Sequence, residues 1–175
     1  MSLLKDVVAL LRSRSTPFAL IGAAAMAVHG VSRSTRDIDL LVAAASCLSE
    51  AYWEGLRTTG IEVNIQRGDA DDPLAGVVRV RAGDESPVDL VVGRGAWEAE
   101  ILRRTTEVEV EGVPVPVASR PDLILLKLYA GGPQDAWDIE QLLALEGRST
   151  LIDEVEARLH DLPAECRGLW QRIRP

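Results

Sequence analysis

Three aspartates stand inside or beside apolar segments, where a carboxylate needs a partner. Asp37 and Asp39 lie two positions apart in "RDIDLLV", and Asp89 lies in "PVDLVVG". On an extended strand, residues two positions apart point to the same face. Because burying an uncompensated charge costs several kcal/mol, the pattern predicts that these carboxylates meet around a common positive partner.

A divalent cation is the partner that suits converging carboxylates. Carboxylates that converge raise each other's proton affinity unless a cation lies between them. Mg²⁺, or Mn²⁺ in its place, binds carboxylate oxygens and leaves positions for substrate phosphates. Such a site suits in-line phosphoryl or nucleotidyl transfer. The alternative is that the aspartates cap turns or lie at exposed strand ends, and an Asp-x-Asp pair by itself does not exclude it.

The residues upstream of the pair add a phosphate-binding feature. Gly22 ends the apolar segment "FALI" and opens a helix of small side chains, Ala23 to Ala27. Small residues at a helix N-terminus let a triphosphate approach the backbone amides. The chain then returns to the strand of Asp37 and Asp39, so one strand-helix-strand unit is predicted to place phosphates beside the carboxylates.

Alternating helices and strands must position these residues. Apolar periodicity predicts helices at 2–14, 23–30, 46–59, 96–104, 121–130, from 133 onward and at 150–160. Alternating and apolar runs predict strands at 18–22, 37–43, 61–68, 76–83 and 87–93, and a hairpin within 107–119. Pro114 and Pro116 favour an edge position. The order predicts a mixed α/β (α+β) fold, with a core at 1–118 and a helical C-terminal subregion of the same domain at 119–175.

Composition excludes several classes of protein. The 27 acidic and 19 basic residues give a net charge of −8, which disfavours a pure RNA binder because phosphate contacts need Lys and Arg. The two cysteines, Cys47 and Cys166, lie far apart, which predicts packing thiols rather than a zinc site or a disulfide. With no bilayer-length apolar run and no signal peptide pattern, we expect a cytoplasmic protein without a membrane partner. The oligomeric state stays open.

The segment "IGAAAMAVHGVSRSTRDIDLLV" resembles the signature of the nucleotidyltransferase superfamily that includes DNA polymerase β. It is most similar to that of the small bacterial AbiEii-like nucleotidyltransferases of toxin–antitoxin and phage-defence loci, which share Arg33, Thr35, Asp37, Ile38 and Asp39. The later "PDLILLKLYAGGPQDAWDIEQL" is similar to their helical pair. The resemblance covers roughly residues 18–145 and implies a nucleotidyltransferase fold, with a mixed central β-sheet flanked by helices.

The resemblance implies roles for the residues of the first motif. Gly22 and Ala23 would flank the triphosphate of a bound NTP. Asp37 and Asp39 would bind Mg²⁺ or Mn²⁺, and Asp89 would be a metal ligand or the base toward the acceptor hydroxyl.

The resemblance also implies roles for residues outside the first motif. Lys127 would contact the nucleotide phosphates, and Asp138, with Asp135, would orient Lys127 or the helix that restarts there. Many relatives carry Ser or a second Gly at the position of Ala23, so Arg33, Ser34 or backbone amides would supply the phosphate contact that alanine cannot.

Two hypotheses about function stay open. The first is a magnesium-dependent enzyme that moves an NMP from an NTP to a hydroxyl on a tRNA end, a protein or a small molecule, within a toxin–antitoxin system. The second is a catalytically weak or inactive relative that binds a nucleotide or a cognate protein, as an antitoxin does. Ala23, and the absence of the arginine that many relatives carry in the segment "GGPQ", motivate the second hypothesis.

Overall fold

The computed structural model describes residues 2–32 and 35–174 of the chain. Within these residues the chain forms two compact units. The first comprises residues 2–25 and 35–118, and the second comprises residues 26–32 and 119–174.

A seven-stranded mixed sheet forms the first unit. Its strands are β1 Phe18–Ile21, β2 Ile38–Val42, β3 Glu62–Arg67, β4 Gly76–Arg81, β5 Val88–Val92, β6 Thr106–Val110 and β7 Val113–Val117. They are ordered β3-β4-β5-β2-β1-β7-β6. The pairs β2–β5 and β1–β7 are parallel, and the remaining neighbours are antiparallel. The mixed α/β architecture predicted from the element order is confirmed.

Burial along the strands explains the apolar runs of the sequence. All four residues of β1 are buried, and β2 is buried except at Asp39. In β5 the burial alternates, so Val88, Leu90 and Val92 face the core while Asp89 is partly exposed. Strands β4 and β5 therefore have one buried apolar face and one more exposed face, whereas β1 is buried on both faces.

Four helices begin in the first unit. They are α1 Leu3–Ser13, α2 Gly22–Val28, α3 Glu54–Arg57 and α4 Ala96–Arg103. Helix α1 begins where the Ser2 hydroxyl accepts a hydrogen bond from the Lys5 N–H, and it buries five aliphatic side chains, Leu3, Leu4, Val7, Val8 and Leu11. Helices α1 and α4 pack against strands of the sheet.

The helix expected over residues 46–59 is wrong. The chain there makes two 3-10 turns, Ala45–Leu48 and Glu50–Tyr52, before α3. Ser49 between the turns is extended, with ψ 135°. The buried Trp53 indole donates a 2.7 Å hydrogen bond to the Cys47 carbonyl, and this tertiary anchor is incompatible with a continuous helical ladder.

The predicted hairpin exists, with Glu111 and Gly112 both at positive φ in its turn. It closes one end of the sheet, but the edge strand is β6 rather than the proline-containing β7. Strand β7 tolerates Pro114 and Pro116 because its ladder with β1 is short, registered at Leu20 and Val117. The Pro114 carbonyl instead accepts a 2.9 Å hydrogen bond from Arg12 of α1.

Helices form most of the second unit. After the end of α2 these are α5 Arg120–Ala130, α6 Pro133–Ala144, α7 Arg148–Glu156 and α8 Ala164–Ile173, with a 3-10 turn at Leu159–Asp161. Gly131, at φ 68°, ends α5 in the left-handed conformation that glycine favours, and α6 restarts at Pro133 as predicted. The helix expected at 150–160 ends early at Glu156, and the short C-terminal piece is helix α8. None of the helices in the described residues has the length and apolar character needed to cross a lipid bilayer.

A buried carboxylate is compensated inside this second unit. Asp122 is fully buried in α5 and accepts a 2.6 Å hydrogen bond from the Ser119 hydroxyl at the helix N-terminus. Arg158 also approaches Asp122, at 3.4 Å. Both contacts offset the desolvation of the charge, so they account for the burial of the Asp122 carboxylate as part of the structure.

Candidate active site

Asp39 and Asp89 lie opposite each other on adjacent strands. Strands β2 and β5 are parallel, and their register pairs Asp39 with Asp89 directly. Registered residues on neighbouring strands, about 4.8 Å apart, place their side chains on the same face. Both residues are partly exposed, with 15% of the Asp89 side chain accessible. The structure therefore brings together two of the three predicted carboxylates.

Gly22 lies directly against Asp39. It follows β1, whose last residue, Ile21, pairs with Asp39 in the antiparallel ladder. Gly22 adopts φ +65°, and a Cβ built on it would lie 2.1 Å from Asp39 Oδ2. Both the backbone conformation and the lack of space require glycine. The next residue, Ala23, is buried.

Asp37 stands just before β2 and is exposed. The Thr35 hydroxyl fixes its backbone by accepting from the Asp37 N–H at 3.3 Å and donating to the Asp37 carbonyl at 3.0 Å. The predicted site residues Arg33 and Ser34 lie outside the described residues. Within the part of the chain that the structure describes, no three His, Cys, Asp or Glu side chains form a metal-binding group, so a three-carboxylate site stays a prediction.

The two oxygens of Asp89 differ in their partners. Oδ2 accepts a 3.0 Å hydrogen bond from Arg79 Nε. Oδ1 is buried and has no hydrogen-bond partner among the described residues. A buried oxygen without a partner is unfavourable in a finished structure and suits a site completed by a ligand. The oxygens of Asp39 and Asp89 fit the preference of Mg²⁺ or Mn²⁺ for carboxylates.

The carboxylate pair belongs to a polar row that crosses four strands. Asp39 on β2 pairs with Asp89 on β5, Asp89 pairs with Arg79 on β4, and Arg79 pairs with Asn64 on β3. Sequence reasoning missed Arg79 and Asn64. Their signal was the alternation in "GVVRVR" and "IEVNIQ", which predicts a polar face for each strand but does not reveal which strands are neighbours.

A second polar cluster lies in the second unit. Lys127 Nζ on α5 is 2.9 Å from Asp135 Oδ1 and 2.6 Å from Asp138 Oδ2, both on α6. Only 16% of the Lys127 side chain is exposed, and Asp138 is fully buried. Asp135 also accepts a hydrogen bond from the Gly132 N–H at the start of α6. Asp135 and Asp138 thus hold Lys127 in place, while its predicted contact with phosphates stays a prediction.

The two thiols offer no nucleophile. Cys47 and Cys166 are both free and buried, as predicted. Burial raises the pKa of the Cys47 thiol and of the Cys166 thiol above the ordinary value. Both are therefore protonated at neutral pH and behave as packing residues.

Comparisons with known proteins agree with this arrangement. Residues 7–167 match the family described as nucleotidyl transferase AbiEii toxin, type IV toxin–antitoxin system. No curated protein sequence matches the chain.

Solved structures with a similar backbone include the antibiotic-resistance factor ANT(2″)-Ia, at a TM-score of 0.56 and 19% identity, covering 98% of this chain and 92% of that one. Another is an antigenic nucleotidyltransferase-like protein from Paracoccidioides brasiliensis, at a TM-score of 0.52 and 18% identity, covering 95% and 90% of the two chains. At such identities the likeness shows the fold, which is that of nucleotidyltransferases.

Proposed function

The chain belongs to the AbiEii nucleotidyltransferase family, and from that premise we propose that it transfers a nucleoside monophosphate from an NTP to a hydroxyl acceptor. The observation that carries the proposal is the registered pair Asp39–Asp89 with Gly22 packed against it. Two carboxylates on one face of a sheet, beside a position that excludes any side chain, are suited to binding the metal ion of a nucleoside triphosphate rather than to packing in a core.

Asp39 and Asp89, joined by Asp37, would hold a divalent ion. When bound, Mg²⁺ or Mn²⁺ supplies charge neutralisation for the triphosphate and favours the ionised form of the acceptor hydroxyl. Gly22 lets the Asp39 carboxylate lie directly against the start of α2, since a methyl group there would collide with the carboxylate.

Where Asp89 is not a ligand of the ion, it would be the base that takes the proton of the acceptor. Its Oδ1 has no hydrogen-bond partner among the described residues, so it is available to accept a hydroxyl proton. The acceptor oxygen then bonds to the α-phosphorus, and the bond from that phosphorus to the bridging oxygen breaks. The bond electrons leave with pyrophosphate, and the NMP stays on the acceptor.

Label transfer from the α-phosphate tests the proposal. Each of the four NTPs, labelled at the α-phosphorus, is incubated with Mg²⁺ and either total RNA or a protein and small-molecule extract. We expect one acceptor fraction to become labelled, and Asp39→Asn to reduce the rate at least about a hundredfold, as loss of a charge-stabilising group does. Asp153→Asn, an isosteric change at an exposed position of α7, is the matched control. Equal labelling by both variants, or none by the wild type, contradicts the proposal.

A second candidate is a nucleotide-binding or partner-binding protein with little catalysis. It is favoured by Ala23, which is buried and offers a methyl group where a hydroxyl donor would contact phosphate. Calorimetry separates the two candidates. Saturable binding of an NTP with Mg²⁺, without label transfer to RNA, protein or small molecules, supports the second candidate. Ala23→Ser should then raise the affinity for the NTP.

We place this activity in a toxin–antitoxin setting in the cytoplasm, where NTPs and tRNA are available, because the matched family is described as a toxin of such a system. The transferase hypothesis predicts that expression of the chain alone slows growth and that Asp39→Asn relieves the effect. A cognate protein partner would act by suppressing label transfer. If growth slows equally with Asp39→Asn, the toxicity does not come from transfer.

A further inference from the structure

We propose that the polar face of β3 and β4 beside Asp89 binds the acceptor, and that this acceptor carries a phosphate group close to the reacting hydroxyl. The inference rests on the proposed function and adds the acceptor class to it. It starts from a pocket of about 430 Å³ on that face, whose lining residues are Glu62, Val63, Asn64, Arg79 and Arg81.

Arg79 connects this pocket to the carboxylate pair. It lines the pocket, and its Nε donates to Asp89 Oδ2 at 3.0 Å. In the register of the sheet, Arg79 is the direct neighbour of Asp89. Since neighbouring strands are about 4.8 Å apart, a group bound over Arg79 lies within one strand spacing of the predicted base. That separation suits a hydroxyl and a phosphate on the same small group.

The charges of the pocket favour an anion. Two arginines and one glutamate line it, in a chain whose overall charge is −8. Glu62 and Arg81 are directly opposite on their strands, and Arg79 is opposite the amide of Asn64. The side chain of Arg79 is 55% exposed. The lining residues by themselves are net positive on an acidic protein, and Arg79 shares its charge with the adjacent Asp89.

The donors of the pocket match a phosphate. A guanidinium has five N–H donors in a planar fork, and the bond to Asp89 uses Nε of Arg79. The remaining donors of Arg79 and those of Arg81 suit the oxygens of a phosphate. Asn64 adds an amide donor, and Glu62 can accept from a hydroxyl. A cationic acceptor such as an aminosugar would be repelled by both arginines.

The simpler alternative is that the two arginines only neutralise the acidic residues opposite them. Binding measurements on the full chain decide between the readings. The probes are a short single-stranded RNA with a free 3′ hydroxyl, ribose 5-phosphate, and ribose as the matched ligand without phosphate. The variants are Arg79→Gln and Arg81→Gln. The control is Arg103→Gln, an exposed arginine of α4 outside the pocket.

We expect each pocket variant to weaken binding of the phosphate probes about tenfold, the loss of one charge-assisted contact. Arg103→Gln should bind the phosphate probes with the affinity of the wild type. The affinity for ribose should be the same in all variants and in the wild type. Binding of RNA without ribose 5-phosphate identifies the end of a nucleic acid as the source of the phosphate, whereas binding of both identifies phosphate esters in general. If neither probe distinguishes the pocket variants from Arg103→Gln, the proposal is overturned.

Turnover separates this proposal from the proposed function. With the acceptor that becomes labelled, Arg81→Gln should raise the acceptor KM about tenfold and leave the NTP KM unchanged. Labelling of an acceptor without phosphate, at an unchanged KM in the variants, refutes the pocket and leaves the transferase intact. Arginine-dependent binding of the probes by a protein that transfers no label refutes the transferase and leaves the pocket intact. Unchanged thermal unfolding of the variants excludes misfolding as the cause.

Discussion

The two polar clusters of the molecule, one around Asp39 and Asp89 and one around Lys127, differ in how their charges are compensated. In the first unit, Asp39 and Asp89 bring like charges together, and Asp89 Oδ1 is left without a hydrogen-bond partner among the described residues. In the second unit, Lys127 forms ion pairs with both Asp135 and Asp138. The first cluster is open to a ligand, because the Arg79 side chain is 55% exposed, whereas the second is closed, with Lys127 16% exposed and Asp138 fully buried.

This contrast distinguishes a cluster that binds a ligand from a cluster that stabilises the fold. A pair of converging carboxylates is tolerated when a ligand with positive charge completes it, as in many catalytic sites. A buried ion pair with short contacts serves to position its members and is costly to break. Substitutions in the two clusters should therefore affect stability and ligand response in opposite ways.

The largest effect on stability is expected from Lys127→Met. The change leaves Asp138 fully buried and Asp135 without the cation that neutralises them, which lowers the free energy of unfolding by about 3–5 kcal/mol. The control is Lys5→Met. Lys5 is the chain's other lysine and is exposed in α1, so the free energy of unfolding should change by less than about 0.5 kcal/mol. Urea unfolding measures both, and equal values for the two variants would show that the cluster is not an energetic unit.

A slightly smaller loss of stability is expected from Gly22→Ala, which fills the space beside Asp39. The clash and the positive φ together should lower the free energy of unfolding by about 2–4 kcal/mol and abolish label transfer. Gly83→Ala separates strain from collision, because Gly83 also has positive φ but no atom within 4 Å of an added Cβ. If Gly83→Ala loses as much stability as Gly22→Ala, the contact with Asp39 contributes nothing.

Divalent ions should stabilise the first cluster and leave the second unaffected. At a Mn²⁺ concentration a hundredfold above Kd, linkage predicts about 2.7 kcal/mol of added stability. Asp89→Asn should remove most of this response, whereas Asp135→Asn should keep it. Thermal unfolding with and without a chelator measures the difference. A response that survives Asp89→Asn would place the ion elsewhere.

The smallest change is expected in the stability of Asp89→Asn without metal. The substitution loses an ion pair with the half-exposed Arg79, worth at most about 1 kcal/mol, and relieves repulsion from Asp39. The two effects oppose each other, so the free energy of unfolding should stay within about 1 kcal/mol of the wild type in urea. A loss as large as that of Lys127→Met would mean that Asp89 holds the fold rather than a ligand.

Local patterns in the sequence were sufficient for much of the fold. Apolar alternation located the strands around Asp39 and Asp89, and Pro121 and Gly131 marked the two ends of α5. These features depend on residues close in sequence, so they are visible without knowing the tertiary structure. The prediction of a helix over 46–59 failed because the buried Trp53 indole bonds to the Cys47 carbonyl, a contact that the helical pattern of the sequence does not reveal.

Strand order was the part that could not be predicted. Asp39 and Asp89 face each other because β2 and β5 are adjacent although they are separated by β3 and β4 in the chain. The same long-range pairing places Arg79 beside Asp89. Residue types and spacing therefore identified the carboxylates, but the residues that modulate them emerged only from the register of the sheet.

The position of β6 at the end of the sheet also bears on whether another chain can add a strand there. A strand edge with free backbone groups invites another chain to add a strand. On β6, Glu107 and Glu109 are exposed and alternate with Val108 and Val110, so a second copy would bring like charges into register. Neutralising both glutamates should make this edge more prone to self-assembly than the same edge of the native chain.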